Sequence, residues 1–307
     1  VARRLIVLAA VFALVEGVAF AGPYQDDLKA RRARVMERLG PEAMLILWSA
    51  PVKTYSHDVE YEYRQDSDLL YLTGIDQEDT ILVLMPGNAT RREVLFVREP
   101  DARREHWDGH TLTTKEAAAG SGVETVYLLP QFEPFVTSML AARPYGVPRG
   151  STTREFDRFF EAIGAGRARL ALMLGRSPGL DQPLTPPYEF AGKVRDRFFG
   201  LAIQDATSIV HNLRQVKTPY ERTLLERSVE ISSEAHRAGM RAAAPGRYEY
   251  EVEAAIEHVY LSNGAMSPGY PSIVGSGPNA TILHYSKSSR RMEEGDLLLV
   301  DAAASYK

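Results

Sequence analysis

From Asp26 to about Leu174 short apolar runs alternate with polar stretches of helical length. The runs predict strands at Ala43–Trp48, Leu69–Leu72, Ile81–Met85, Val94–Val97, Val123–Leu129 and Leu170–Leu174. Helices are expected at Gln25–Leu39, Phe132–Ala142 and Arg154–Ile163, and strands interleaved with helices indicate a layered α/β domain. Ser177–Pro187 carries four prolines in eleven residues, which neither a helix interior nor a central strand tolerates, so a domain boundary is expected there. Ala191–Phe199 reads as a short connecting helix.

The pattern changes over the last hundred residues. Thr218-Pro219-Tyr220-Glu221 is a capping box with proline at the first helical position. Leu224, Ile231, Ala235 and Ala238 follow on one face, and Pro245-Gly246 stops the helix. A second helix begins near Tyr248, with Val252, Ala255, Ile256, Val259 and Tyr260 at helical spacing and Asn263-Gly264 at its end. Ser272–Val274 and Ala280–His284 read as strands around a Gly-rich turn, and Leu297–Val300 is an apolar run that ends in Asp301.

At the N-terminus, Arg3-Arg4, the apolar run Leu5–Val15 and Ala19-Phe20-Ala21 have the order of a secretory signal peptide, predicting export to the periplasm or medium with cleavage after Ala21. The run is shorter than the roughly 20 residues of a membrane span, so no membrane anchor is expected. Apolar residues make up 45% and charged residues 25% of the 307, a globular composition. The net charge of −4 gives no reason to expect a nucleic-acid partner. The absence of cysteine excludes disulfides, thiolate metal sites, a cysteine nucleophile and a lipoprotein anchor.

No self-sufficient catalytic motif is present: there is no H-E-x-x-H, G-x-S-x-G or P-loop, and Gly275-Ser276-Gly277 lacks a lysine and a following helix. Two residues stand out. His284 closes an apolar stretch, where it either aims at a cavity or sits as a satisfied core histidine. Asp301 follows four apolar residues, where a carboxylate either opens a cleft as a hard oxygen ligand for Mn²⁺, Mg²⁺ or Zn²⁺ or serves as a turn or cap beyond a buried strand.

Longer segments carry a resemblance. Pro271 to Tyr285 (PSIVGSGPNATILHY), Met292 to Ala302 (MEEGDLLLVDA) and Leu213 to Glu221 (LRQVKTPYE) resemble the catalytic domain of the Xaa-Pro aminopeptidase (aminopeptidase P) family. Tyr63 to Gly74 (YRQDSDLLYLTG) and Arg104 to Gly109 (REHWDG) resemble its N-terminal domain. The resemblance implies a creatinase-like N-terminal α/β domain followed by a pita-bread α+β catalytic domain. It implies a hydrolase that removes the N-terminal residue from peptides with proline second, using two divalent cations, usually Mn²⁺, at one site. Asp301 corresponds to the family's first metal-binding aspartate. His284 corresponds to a histidine beside the metals that contacts substrate and is not a ligand.

The family's remaining ligands, an aspartate, a histidine and two glutamates, have no counterpart before Lys307. The expectation is therefore a chain carrying the first half of the catalytic domain and inactive by itself. The expected division is a signal peptide over 1–21, the N-terminal domain over 24–175, a linker over 176–207 and the partial peptidase domain over 208–307. A prolidase acting on Xaa-Pro dipeptides and a non-catalytic binding relative are the alternatives, and a homo-oligomer is left open. Expression in a bacterial host tests the N-terminal reading: a mature protein beginning at Gly22 is expected, and one that retains Val1 in the cytoplasm refutes export.

Overall fold

The structure, a computed structural model, describes residues 22–147 and 154–306, so the signal-peptide reading lies outside the described residues. The chain divides into two compact units between Gln215 and Val216.

In the first unit the elements run α1 (Pro23–Leu39), β1 (Ala43–Trp48), a small hairpin of β2 (Thr54–Ser56) and β3 (Val59–Glu60), α2 (Ser67–Thr73), β4 (Ile81–Leu84), β5 (Glu93–Val97), α3 (Ala102–Asp108), α4 (Thr114–Ser121) and β6 (Thr125–Leu128). They continue with α5 (Phe132–Leu140), α6 (Asp157–Gly164), β7 (Arg169–Leu172), α7 (Pro186–Arg197), β8 (Ala202–Asp205) and α8 (Thr207–Gln215). Six strands form one sheet in the order β6-β5-β4-β1-β7-β8. β4 runs antiparallel to both β1 and β5, and the other pairs are parallel.

Both faces of the inner strands β5, β4, β1 and β7 are buried, which is why these strands are largely continuous apolar runs rather than alternating ones. Leu45 and Leu47 of β1 face the layer of α1, α2, α4 and α8, through Val35, Leu69, Ala117 and Val210. Met44 and Ile46 face α5, α6 and α7, through Phe135, Phe159 and Val194.

Three expectations are corrected. Leu69–Leu72 is helical, not a strand: Asp66 accepts hydrogen bonds from the backbone N–H of Asp68 and Leu69, and Gly74 at φ 66° closes α2. Four apolar residues are too few to show a period, so the caps decide. The segment 176–207, expected as a linker with a connecting helix, contains that helix but belongs to the first unit. Pro186 and Pro187 begin α7 at the positions a helix tolerates, and β8 extends the sheet through its pairing with β7. Val210 and Leu213 of α8 then join the core, which carries the first unit to Gln215. Ala280–His284 is not a strand either. A 3-10 turn spans Gly277–Thr281, and the partner of the preceding strand comes from further along the chain.

The second unit contains α9 (Pro219–Ala242), α10 (Glu249–Ser262), β9 (Ser267–Pro268), β10 (Ile273–Ser276), β11 (Leu298–Asp301) and β12 (Ala304–Ser305). The Thr218–Glu221 capping box forms as its sequence demands. Ile231 and Ala235 of α9 pack with Val252, Ile256 and Tyr260 of α10 and with Val274 of β10. β10 and β11 pair antiparallel from Ile273↔Asp301 to Ser276↔Leu298. Among the described residues each has one partner strand, and Leu297, Leu299, Ile282 and Leu283 are exposed. No helix among the described residues is long and apolar enough to cross a membrane.

The first unit is tied together by Arg32, whose side chain is fully buried. Its Nε donates to Glu93 Oε2 at 2.9 Å, and one terminal nitrogen donates to Leu72 O at 2.8 Å and Ser121 O at 3.0 Å. A single guanidinium thus serves carbonyls at the ends of α2 and α4 and a carboxylate on β5. Burial lowers its pKa, with the Glu93 charge and hydrogen bond acting against that shift. Arg32→Met leaves Glu93 and both carbonyls without their donor, and a loss of about 3–5 kcal/mol is expected. Tryptophan fluorescence during urea unfolding measures it, because Trp48 and Trp107 both belong to this unit.

Candidate active site

His284 and Asp301, the two residues singled out in the sequence, line one cavity of about 440 Å³ in the second unit, together with Tyr270, Pro271, Ile273 and Ser286. β11 delivers Asp301 at its last position, opposite Ile273 at the first position of β10. The stretch that follows the 3-10 turn delivers His284. Both side chains are exposed. His284 is therefore not a core histidine, and Asp301 does not carry the desolvation cost of a buried carboxylate.

Asp301 has a partner that no pattern in the residues announces. The Tyr270 hydroxyl donates to Asp301 Oδ1 at 2.5 Å. That hydrogen bond, helped by desolvation and the carboxylate's charge, pushes the Tyr270 pKa to about 12, so the phenol stays protonated and keeps donating. A lone tyrosine between glycine and proline carries no motif, and only the fold places it beside Asp301.

A second residue missed in the sequence is Glu249, the first residue of α10, which is fully buried. In a first turn a glutamate is ordinarily a solvated partner of the helix dipole. Here it accepts from the Ser276 N–H at 2.6 Å, the Ser276 hydroxyl at 2.7 Å, Asn279 Nδ2 at 3.2 Å, the Tyr285 hydroxyl at 2.7 Å and the Arg290 N–H at 2.9 Å. Desolvation acts to raise its pKa. The hydrogen bonds from Ser276, Arg290 and Tyr285 outweigh it and hold the carboxyl below its ordinary value. Arg290 adds a second layer, donating to the Ser276 hydroxyl at 2.9 Å and pairing with Asp296.

The turn between these anchors is tight. A methyl group on Gly275 would lie 2.8 Å from the backbone oxygen of Asn279. Gly277 has φ +51°, and a methyl group there would meet Asp296 Oδ1 at 2.6 Å. These glycines answer to close approach and backbone conformation rather than to a phosphate.

Among the described residues no group of three His, Asp or Glu side chains stands together to hold a metal ion. Asp301 alone offers at most two oxygen donors, where a hard cation takes about six, so these residues do not by themselves fit a two-metal centre. Other histidines have structural partners: His211 contacts Asp68 Oδ2 at 3.0 Å, His236 the carbonyl of Ala302 at 2.9 Å, and His110 lies against Glu116 at 3.0 Å.

Comparison with known proteins adds two family matches in chain order. Residues 28–147 match the aminopeptidase P N-terminal domain, and residues 223–307 match metallopeptidase family M24. The Xaa-Pro aminopeptidase of Escherichia coli is 30% identical over an alignment of 292 residues that covers 92% of this chain and 59% of that protein. The structure of Escherichia coli aminopeptidase P with the inhibitor Pro-Leu superposes with a TM-score of 0.75 at 28% identity, again over 92% of this chain and 59% of that one. Pseudomonas aeruginosa aminopeptidase PepP gives a TM-score of 0.73 at 30% identity over the same shares of the two chains. The chain thus spans about three-fifths of the length of these relatives.

The pKa of Glu249 sets an acid limit for the second unit. The ordinary glutamate value is 4.5 and the folded value lies below it, so the stability this carboxylate contributes is complete above pH 4.5. It is lost as pH falls through the depressed folded pKa. Thermal melts followed by circular dichroism from about pH 6 to about pH 3 should show the wild-type advantage over Glu249→Gln shrinking at the acid end. A difference that stays constant throughout would show that the charge is not what stabilises.

Proposed function

The chain belongs to the aminopeptidase P family, and from that premise we propose that it carries the N-terminal domain and the Asp301–His284 part of the site of an exported metallo-aminopeptidase. In this reading the enzyme releases the N-terminal residue from peptides with proline at the second position. The observation that supports it most directly is the shared cavity. Tyr270, Pro271 and Ile273 offer an apolar wall, with His284 and Asp301 also lining the cavity. A proline ring suits such a wall, and a prolyl amide has no N–H that the site would have to satisfy.

Asp301 is assigned as one of the metal-binding carboxylates of a centre that takes two Mn²⁺ or related divalent cations, which supply Lewis acidity and an activated water when bound. Tyr270 keeps one oxygen of that carboxylate hydrogen-bonded and so fixes its orientation. His284 is assigned to the substrate side, where a positioned imidazole donates or accepts one hydrogen bond near the scissile amide. The other donors are not among the described residues, so the 307-residue chain alone is expected to be inactive and to bind Mn²⁺ only weakly.

The test extends this chain with the remaining catalytic sequence of the Escherichia coli relative and pairs metal analysis with steady-state kinetics on a Xaa-Pro tripeptide. Asp301→Asn should lose metal and activity together. His284→Ala should keep its metal while turnover falls about 10²–10⁴-fold. Metal loss in His284→Ala, with an active and metal-replete Asp301→Asn, would reverse the two roles. Turnover of Xaa-Pro dipeptides alone would favour a prolidase, and failure of the metal-loaded protein to cleave either peptide would favour a binding module.

A further inference from the structure

We propose that Glu249 is the positioning residue for His284: its ionised carboxylate clamps both ends of the loop 277–284 and thereby fixes where the imidazole stands over the cavity. The proposal rests on the reading of His284 as the substrate-side group, and it concerns a residue that does not line the cavity itself. One oxygen, Oε1, holds the start of the loop through the Ser276 N–H, the Ser276 hydroxyl and Asn279 Nδ2. The other, Oε2, holds its end through the Tyr285 hydroxyl and the Arg290 N–H. Tyr285 is buried and covalently adjacent to His284, which is exposed. Its hydroxyl also accepts from Asn279 Nδ2 at 2.9 Å and from the Ser289 N–H at 3.2 Å, closing the ring of contacts across the loop.

The chemistry of the pocket around Glu249 requires an anion rather than a shape. Each carboxylate oxygen faces a backbone N–H, Ser276 on one side and Arg290 on the other, and neither can reverse to accept. An isosteric glutamine must therefore oppose its NH₂ to one of these N–H groups and leave it unsatisfied in a buried place. An aspartate, one methylene shorter, reaches one end of the loop but not both. The backbone of Asn279 packs closely on the strand before the loop, where a methyl group on Gly275 would lie 2.8 Å from its oxygen, which limits how far the chain can follow a shortened side chain. A displaced anchor at Tyr285 is passed on to His284.

The clamp is tested on the 307-residue chain by amide hydrogen exchange and by NMR of its histidine side chains, with Glu249→Gln and Tyr285→Phe as variants. In Glu249→Gln the amides of Ser276, Ser289 and Arg290 should exchange at least about tenfold faster, the scale of losing a charge-assisted hydrogen bond. The His284 imidazole should lose its nuclear Overhauser contacts to cavity residues, while interior amides of α9 and α10 change by less than about threefold. Tyr285→Phe, the milder variant, should release Ser289 and His284 but leave the Ser276 amide protected. Unchanged His284 contacts in both variants would overturn the proposal. So would equal acceleration across α9 and α10, which would make Glu249 a general stabiliser of the unit. Neither readout needs turnover, so the clamp and the peptidase reading can fail independently.

Discussion

A charge taken out of water is held in place by the hydrogen bonds that replace its hydration, and each unit of this chain has a fully buried side chain of this kind that joins several elements. Arg32 in the first unit has only donors to offer, and it gathers the ends of two helices and a strand carboxylate. Glu249 in the second has only acceptors, and it gathers two backbone N–H groups, two hydroxyls and an amide. The apolar cores would tolerate many side chains of similar volume. These two centres would not, because any neutral replacement strands partners that have nowhere else to turn. They specify one arrangement of loops where hydrophobic packing alone would allow several.

The placement of the candidate site follows from the second of these centres. β10 and β11 carry Asp301 to the cavity through a regular register, which needs no special residue. His284 comes from irregular chain, whose position no ladder of backbone hydrogen bonds enforces. The division of labour is clear in the contacts: the ligand candidate sits on a strand, and the substrate-side candidate sits on a loop whose ends are bonded to a buried anion. Tyr270 does for Asp301, by one hydrogen bond, part of what Glu249 does for the whole loop.

Much of this was legible in the residues. The buried strands of the first unit announced themselves as apolar runs, the Thr218 capping box marked its helix, and the segments around His284 and Asp301 carried the family resemblance. What was not legible depended on tertiary partners. The run Leu69–Leu72 has no period, and the Asp66 cap makes it a helix. The Pro-rich stretch was expected to separate domains, but its last two prolines begin a helix whose apolar residues found room under the sheet. Ala280–His284 has strand-like composition, and the bond from Asn279 to Glu249 draws the chain before it into a turn. Glu249 itself reads as an ordinary first-turn acid, because its five donors lie 27 to 41 residues further along the chain.

The exposed leucines around β11 have a consequence for the chain as a colloid. Leu297 and Leu299 flank an edge of main-chain donors and acceptors that lacks a neighbour among the described residues, with Ile282 and Leu283 also bare to water. An apolar edge of this kind is a template for strand addition by any chain that meets it, including its own copies. A charge placed at Leu297 would blunt that template without touching the cavity residues.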